Sequence, residues 1–119
     1  MPEQTRRVVW LVDTLDRLKD FPPTVRQKIG FALYQAQIGD KHESAKLLHG
    51  FEAPVWQVCA DASSGTYRAA YVVHFQDAVY VLHIFQKKAR SGIATPQREM
   101  DLIRQRLRLA GKLAGQTGG

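Results

Sequence analysis

Arg68, His83 and Lys87 combine two cations with an imidazole, a set that suits work on a phosphodiester. The planar guanidinium fork of arginine matches a phosphate and makes Arg68 the natural oxyanion clamp. An imidazole titrates near neutrality, so His83 could act as acid or base. Lys87 could hold a flanking phosphate, or donate a proton if neighbouring cations depress its pKa. Phe85 lies between them in sequence and offers a ring for base stacking. RNA cleavage through the 2′-hydroxyl needs a proton acceptor, a proton donor and charge at the phosphate, and these residue types could supply all three.

The surrounding charge points the same way. The 27 residues from Gln86 to Lys112 hold eight basic and two acidic side chains and account for the entire net charge of +6. A basic end on an otherwise neutral chain is the footprint of a surface that docks on a polyanion, although a solvated helix face gives the same pattern. Lys88, Arg90 and Arg98 extend this candidate RNA track, and Lys46 and His49 beside Phe51 add a second group of contacts.

Composition excludes several other classes. At 119 residues the chain is one domain, expected over 1–113 with a frayed tail at 114–119. No apolar run reaches the ~18 residues that span a membrane, and no signal-peptide pattern opens the chain. One cysteine, Cys59, rules out an internal disulfide and fits a reducing, cytoplasmic setting. It reads as a small packing residue, and Trp10 and Trp56 read as core. The four histidines are scattered without metal-ligand spacing, so neither a metal nor another cofactor is expected.

The elements that must position these groups follow from periodicity. Arg7–Leu11 reads as a short strand, and Asp13 as the cap of a short helix with Leu15 and Leu18 inward. Pro22 and Pro23 open a second helix whose stripe is Val25, Ile29, Ala32, Leu33 and Ala36, ended by Gly39. Residues 40–54 read as loop. Strands follow at Val55–Ala60, Tyr67–Phe75 and Ala78–Gln86, then a helix capped by Thr95 with Pro96 first and Met100, Ile103, Leu107 and Ala110 buried. The order β-α-α-β-β-β-α predicts an α+β domain, a small antiparallel sheet with its helices on one face.

A two-residue loop at Gln76-Asp77 would set the register: Phe75 opposite Ala78, Val73 opposite Tyr80, Tyr71 opposite Leu82, Ala69 opposite Ile84 and Tyr67 opposite Gln86. Tyr67, Tyr71, Phe75, Tyr80, Leu82 and Ile84 then share the core face. Arg68 lies across from Phe85 on the other face, with His83 and Lys87 as diagonal neighbours.

Tyr67-Arg68-Ala69-Ala70-Tyr71, the segment Tyr80-Val81-Leu82-His83-Ile84-Phe85-Gln86-Lys87-Lys88, Gly92-Ile93-Ala94-Thr95-Pro96 and Glu99-Met100-Asp101-Leu102-Ile103 resemble the phage-derived, HigB-like branch of the RelE/ParE toxin superfamily. The resemblance runs from about Val8 to Leu109. It implies a RelE-like fold and a type II toxin that cuts ribosome-bound messenger RNA, and the missing ligand set makes metal dispensable for that cutting. The implied partner is a cognate antitoxin of helix-turn-helix type, with DNA contacted only through it. By the same resemblance Arg68, His83, Lys87 and Lys88 match family positions. Two departures stand out: His49 replaces a common lysine, and Gln57-Val58-Cys59 replaces glutamate-leucine-arginine. The alternative within the superfamily is a ParE-type toxin that inhibits DNA gyrase by binding it.

Overall fold

The computed structural model describes residues 5–73, 78–87 and 95–117. The expected turn at Gln76-Asp77, together with Lys88 and Arg90, lies outside them. Strand β1 (Arg7–Trp10) is followed by α1 (Thr14–Lys19), α2 (Pro23–Gln37), β2 (Lys46–Leu48), β3 (Val55–Ala62), β4 (Gly65–Val72), β5 (Ala78–Lys87) and α3 (Gln97–Thr117). The five strands order as β1-β5-β4-β3-β2, with β1 parallel to β5 and the other pairs antiparallel.

The helix stripes form as their spacing predicts. Val25, Ile29, Ala32, Leu33 and Ala36 are all buried, and α2 gives way at Gly39, whose φ of 86° suits a residue without a Cβ. Ile103, Leu107 and Ala110 bury the inner side of α3. The sequence-based expectation is corrected in its layering, because the helices cover both faces of the sheet. The α1 and α2 residues pack on Val58, Ala60, Tyr67, Ala69, Tyr71, Val79, Val81 and Ile84. On the opposite face α3 packs on Val55, Ala70, Val72, Tyr80 and Leu82. Among the described residues, five strands and three helices thus make three layers. A sheet whose strands are apolar on both sides needs a cover on both.

The register explains how Tyr80 and Leu82 change faces. Tyr67 pairs with Gln86, Arg68 with Phe85 and Ala69 with Ile84, as the hairpin rule requires. A β-bulge then falls at Ala70/Tyr71, after which Tyr71 pairs with Val81 rather than Leu82. One extra residue on β5 turns Leu82 and His83 toward the same side. Leu82 enters the α3 core and His83 reaches the polar groups of that helix. Both gains favour the bulge over an unbroken ladder.

Smaller corrections have local causes. Residues 46–48, read as loop, pair with β3 as a short edge strand. Asp13 makes no side-chain cap for α1; its carboxylate binds Arg17 Nε at 2.8 Å, and Leu15 faces outward. Thr95 spends its hydroxyl on side chains, not on capping α3. Trp10 and Trp56 are partly buried against the α2-side core. The helix α3 runs on to Thr117, past the point where fraying was expected.

Candidate active site

Alternation along β3, β4 and β5 builds three rows across the α3-facing side of the sheet. They are Gln57–Ala70–His83, Cys59–Arg68–Phe85 and Asp61–Thr66–Lys87. Residues directly opposite each other share a face, so Arg68, His83, Phe85 and Lys87 stand together on one side at one end. Lys46 pairs with Gln57 and extends the first row to the exposed edge, two strand spacings or about 10 Å from β4.

Arg68 is 5% exposed and Lys87 is 7% exposed. Arg68 Nη1 donates to Thr95 Oγ1 at 3.1 Å, and that hydroxyl donates to Gln57 Oε1 at 3.1 Å. Gln57 in turn directs its amide at Cys59 Sγ, 3.7 Å away. The chain Arg68–Thr95–Gln57 fixes the guanidinium from the segment leading into α3. Burial pushes the Lys87 ammonium below its usual pKa, and the positive charge of Arg68 pushes it further, against a smaller opposing effect of Cys59. The two cations are therefore electrostatic neighbours, sheltered enough to act more strongly on an anion than surface charges do.

His83 occupies a different setting. It is 1% exposed, its Nε2 lies 2.6 Å from Glu99 Oε1 and its Nδ1 lies 2.9 Å from Arg106 Nη1. A guanidinium can only donate, so Nδ1 accepts and the proton sits on Nε2, which donates to Glu99. Burial lowers the pKa of His83, the Glu99 hydrogen bond opposes this, and Arg106 reinforces it. The imidazole is thus held neutral, with both nitrogens committed. Phe85 stacks on it at 4.9 Å between ring centroids and is itself 3% exposed.

The other expected RNA contacts divide by exposure. Lys46 and His49 are exposed at the β2 edge and just after it, and the Arg98 side chain is 86% exposed. Four contributors escaped the sequence reading: Gln57, Thr95, Glu99 and Arg106. Arg106 looked like one more surface cation, yet it also donates to Leu82 O at 3.3 Å and lies 3.7 Å from Asp13. One signal was available. Glu99 and Arg106 are seven residues apart, two turns, which puts them on the side of α3 marked by Ile103. Among the described residues no group of His, Cys, Asp and Glu side chains could hold a metal ion.

The model of the family "Phage derived protein Gp49-like (DUF891)" matches residues 16–108. A comparison with curated proteins finds no match. Among solved structures, a doubly substituted mutant of the Escherichia coli toxin RelE in its free state superposes with a TM-score of 0.54. The identity is 19%, over 69% of this chain and 83% of that one. The site therefore sits on a RelE-like fold, and the chain belongs to the phage-derived Gp49-like family.

Proposed function

We propose that this protein is the toxin of a toxin–antitoxin pair, in the HigB-like branch of its superfamily, and that it cuts messenger RNA on the ribosome. The observation that carries the reading is the pairing of Arg68 and Lys87 at one end of one sheet face, close enough for one charge to act on the other. A pure binding surface has no need of two sheltered cations supported by a Thr95–Gln57 relay.

In the reaction, the 2′-oxygen of the RNA passes its proton to solvent water, the acceptor left once Arg68, His83 and Lys87 have their roles, and attacks the adjacent phosphorus. The bond from phosphorus to the 5′-oxygen breaks, and that oxygen takes a proton. The products are a 2′,3′-cyclic phosphate and a free 5′-hydroxyl. Arg68 holds the non-bridging oxygens as charge builds on them, and preorganised donors of this kind are worth about 100- to 1000-fold in rate. Lys87 supplies the second charge and, with its ammonium pKa pushed down, is the better placed proton donor. His83 keeps α3 and Phe85 in place and is a positioning residue. Lys46, His49 and Arg98 guide the flanking strand, with Lys88 and Arg90 continuing the basic track.

The low exposure of Arg68 and Lys87 fits dependence on the ribosome, since docking there could uncover cations that naked RNA meets poorly. The test is primer extension on a translated message, wild type against Arg68→Ala. New 5′ ends with wild type, reduced at least 100-fold in the variant, support the site. Undiminished cleavage by Arg68→Ala removes it. Inhibition of gyrase supercoiling with the message intact would place the protein with the ParE-type toxins.

A further inference from the structure

A second site lies on the flank of α3, where the segment after β2 leans on the helix. Gly50, Phe51 and Ala53 on one side and Leu107 and Gly111 on the other enclose a cleft of about 490 Å³. Its floor is apolar. Its rim carries Arg104, Arg108 and Lys112, four residues apart along α3, so the cations rise by about 6 Å per step. Glu52 is the one acid in the lining. Arg104 is engaged in the wall: its guanidinium lies 5.2 Å from the centre of the Phe51 ring and donates to Gly50 O at 3.3 Å. Arg104 also pairs with Asp101 at 3.4 Å, whereas Arg108 and Lys112 are exposed and, among the described residues, neither forms an ion pair.

We propose that this cleft binds a protein segment in which an apolar anchor is flanked by carboxylates at helical spacing. Charge complementarity selects an acidic occupant, because the rim is basic and the sole acid sits among three cations. The apolar floor selects a peptide over an RNA strand. A nucleic acid groove needs free aromatic faces for bases, whereas one face of Phe51 is already covered by Arg104. A helix laid along α3 would bring one Glu to Arg108 and another, four residues on, to Lys112, and drop a Leu between Phe51 and Leu107. Gly111, with no side chain, allows the two backbones to approach closely. Identifying the donor of that segment as the antitoxin rests on the toxin reading; the chemistry of the cleft does not.

The test uses the full chain and three fluorescent probes: a 16-residue Glu-rich helix with one central Leu, the same peptide with that Leu changed to Ser, and a 12-nucleotide oligouridylate. Anisotropy should show the Leu peptide binding at least 10-fold more tightly than the Ser peptide. Arg108→Glu and Ala53→Trp should each weaken the Leu peptide 10-fold or more while leaving message cleavage on ribosomes unchanged. Arg108→Glu is a surface change and carries the comparison if Ala53→Trp melts early. Equal binding of the two peptides overturns the proposal. So does oligouridylate binding that Arg108→Glu abolishes and Ala53→Trp leaves intact, which marks a phosphate track. Selective peptide binding without message cleavage keeps the cleft and removes the nuclease reading, and the converse result removes the cleft alone.

Discussion

Replacing Glu99 with alanine takes the acceptor away from a histidine that, among the described residues, has no other outlet for its proton. The bond is short, 2.6 Å, and the imidazole is 1% exposed. A hydrogen bond to a charged group nets about 1.5–3 kcal/mol, and the stranded Nε2–H then carries its own desolvation cost. Glu99 is itself 13% exposed on its side chain, so some water can enter, and a loss of about 2 kcal/mol follows. For a domain of this length that lowers Tm by roughly 8 °C. Glu99→Gln is the informative partner variant. Its amide oxygen still accepts from a neutral imidazole, at about half the strength, so the expected loss is only about 1 kcal/mol. Denaturant melts of both variants give the two numbers, and nitrogen-15 NMR of His83 reads the tautomer directly. Equal losses for Ala and Gln, with both ring nitrogens protonated at pH 7.5, would refute the assignment of Arg106 as a donor to a bare Nδ1. The same reasoning sets a pH dependence. Because the folded protein holds His83 below its usual pKa of 6.5, the unfolded chain binds the proton more readily. The stability it contributes is complete above pH 6.5 and declines as the pH falls below it, by at most about 1.4 kcal/mol per pH unit.

Thr95→Val breaks the relay from Arg68 to Gln57 while keeping shape; message cleavage should fall about 10-fold with a stability loss near 1 kcal/mol, read by primer extension and a melt. Ile103→Ala empties a fully buried position under α3 and should cost about 3 kcal/mol, or roughly 12 °C in Tm, by calorimetry. Cleavage should persist unchanged in EDTA once ribosomes are restored to their own magnesium, because Arg68 and Lys87 provide the charge that a metal would otherwise supply; a selective loss restored by a second divalent ion would contradict this.

What could be read from the sequence was local or set by a single turn. The α2 stripe, the strands and the inner side of α3 follow from periods of 3.6 and 2, which need no knowledge of the partner surface. The approach of Arg68 to Phe85 and Lys87 follows from alternation across one hairpin, and the bulge leaves it intact because the slip occurs beyond Ala70. The net positive charge of the C-terminal segment is likewise plain arithmetic on residue types. Tertiary packing decided the rest. The bulge at Ala70/Tyr71 exists because two different cores compete for the side chains of β5, and neither core is visible in one strand alone. Strand β2 has three residues, too few for a period, and forms only because β3 offers it an edge. Arg106 looks the same as Arg104 or Arg108 in sequence. Its role inside the protein comes from partners on β5 and ahead of α1, brought to it only when α3 crosses the sheet. Charge can be counted along a chain, but whether a charge meets solvent, a substrate or a buried imidazole depends on what folds against it.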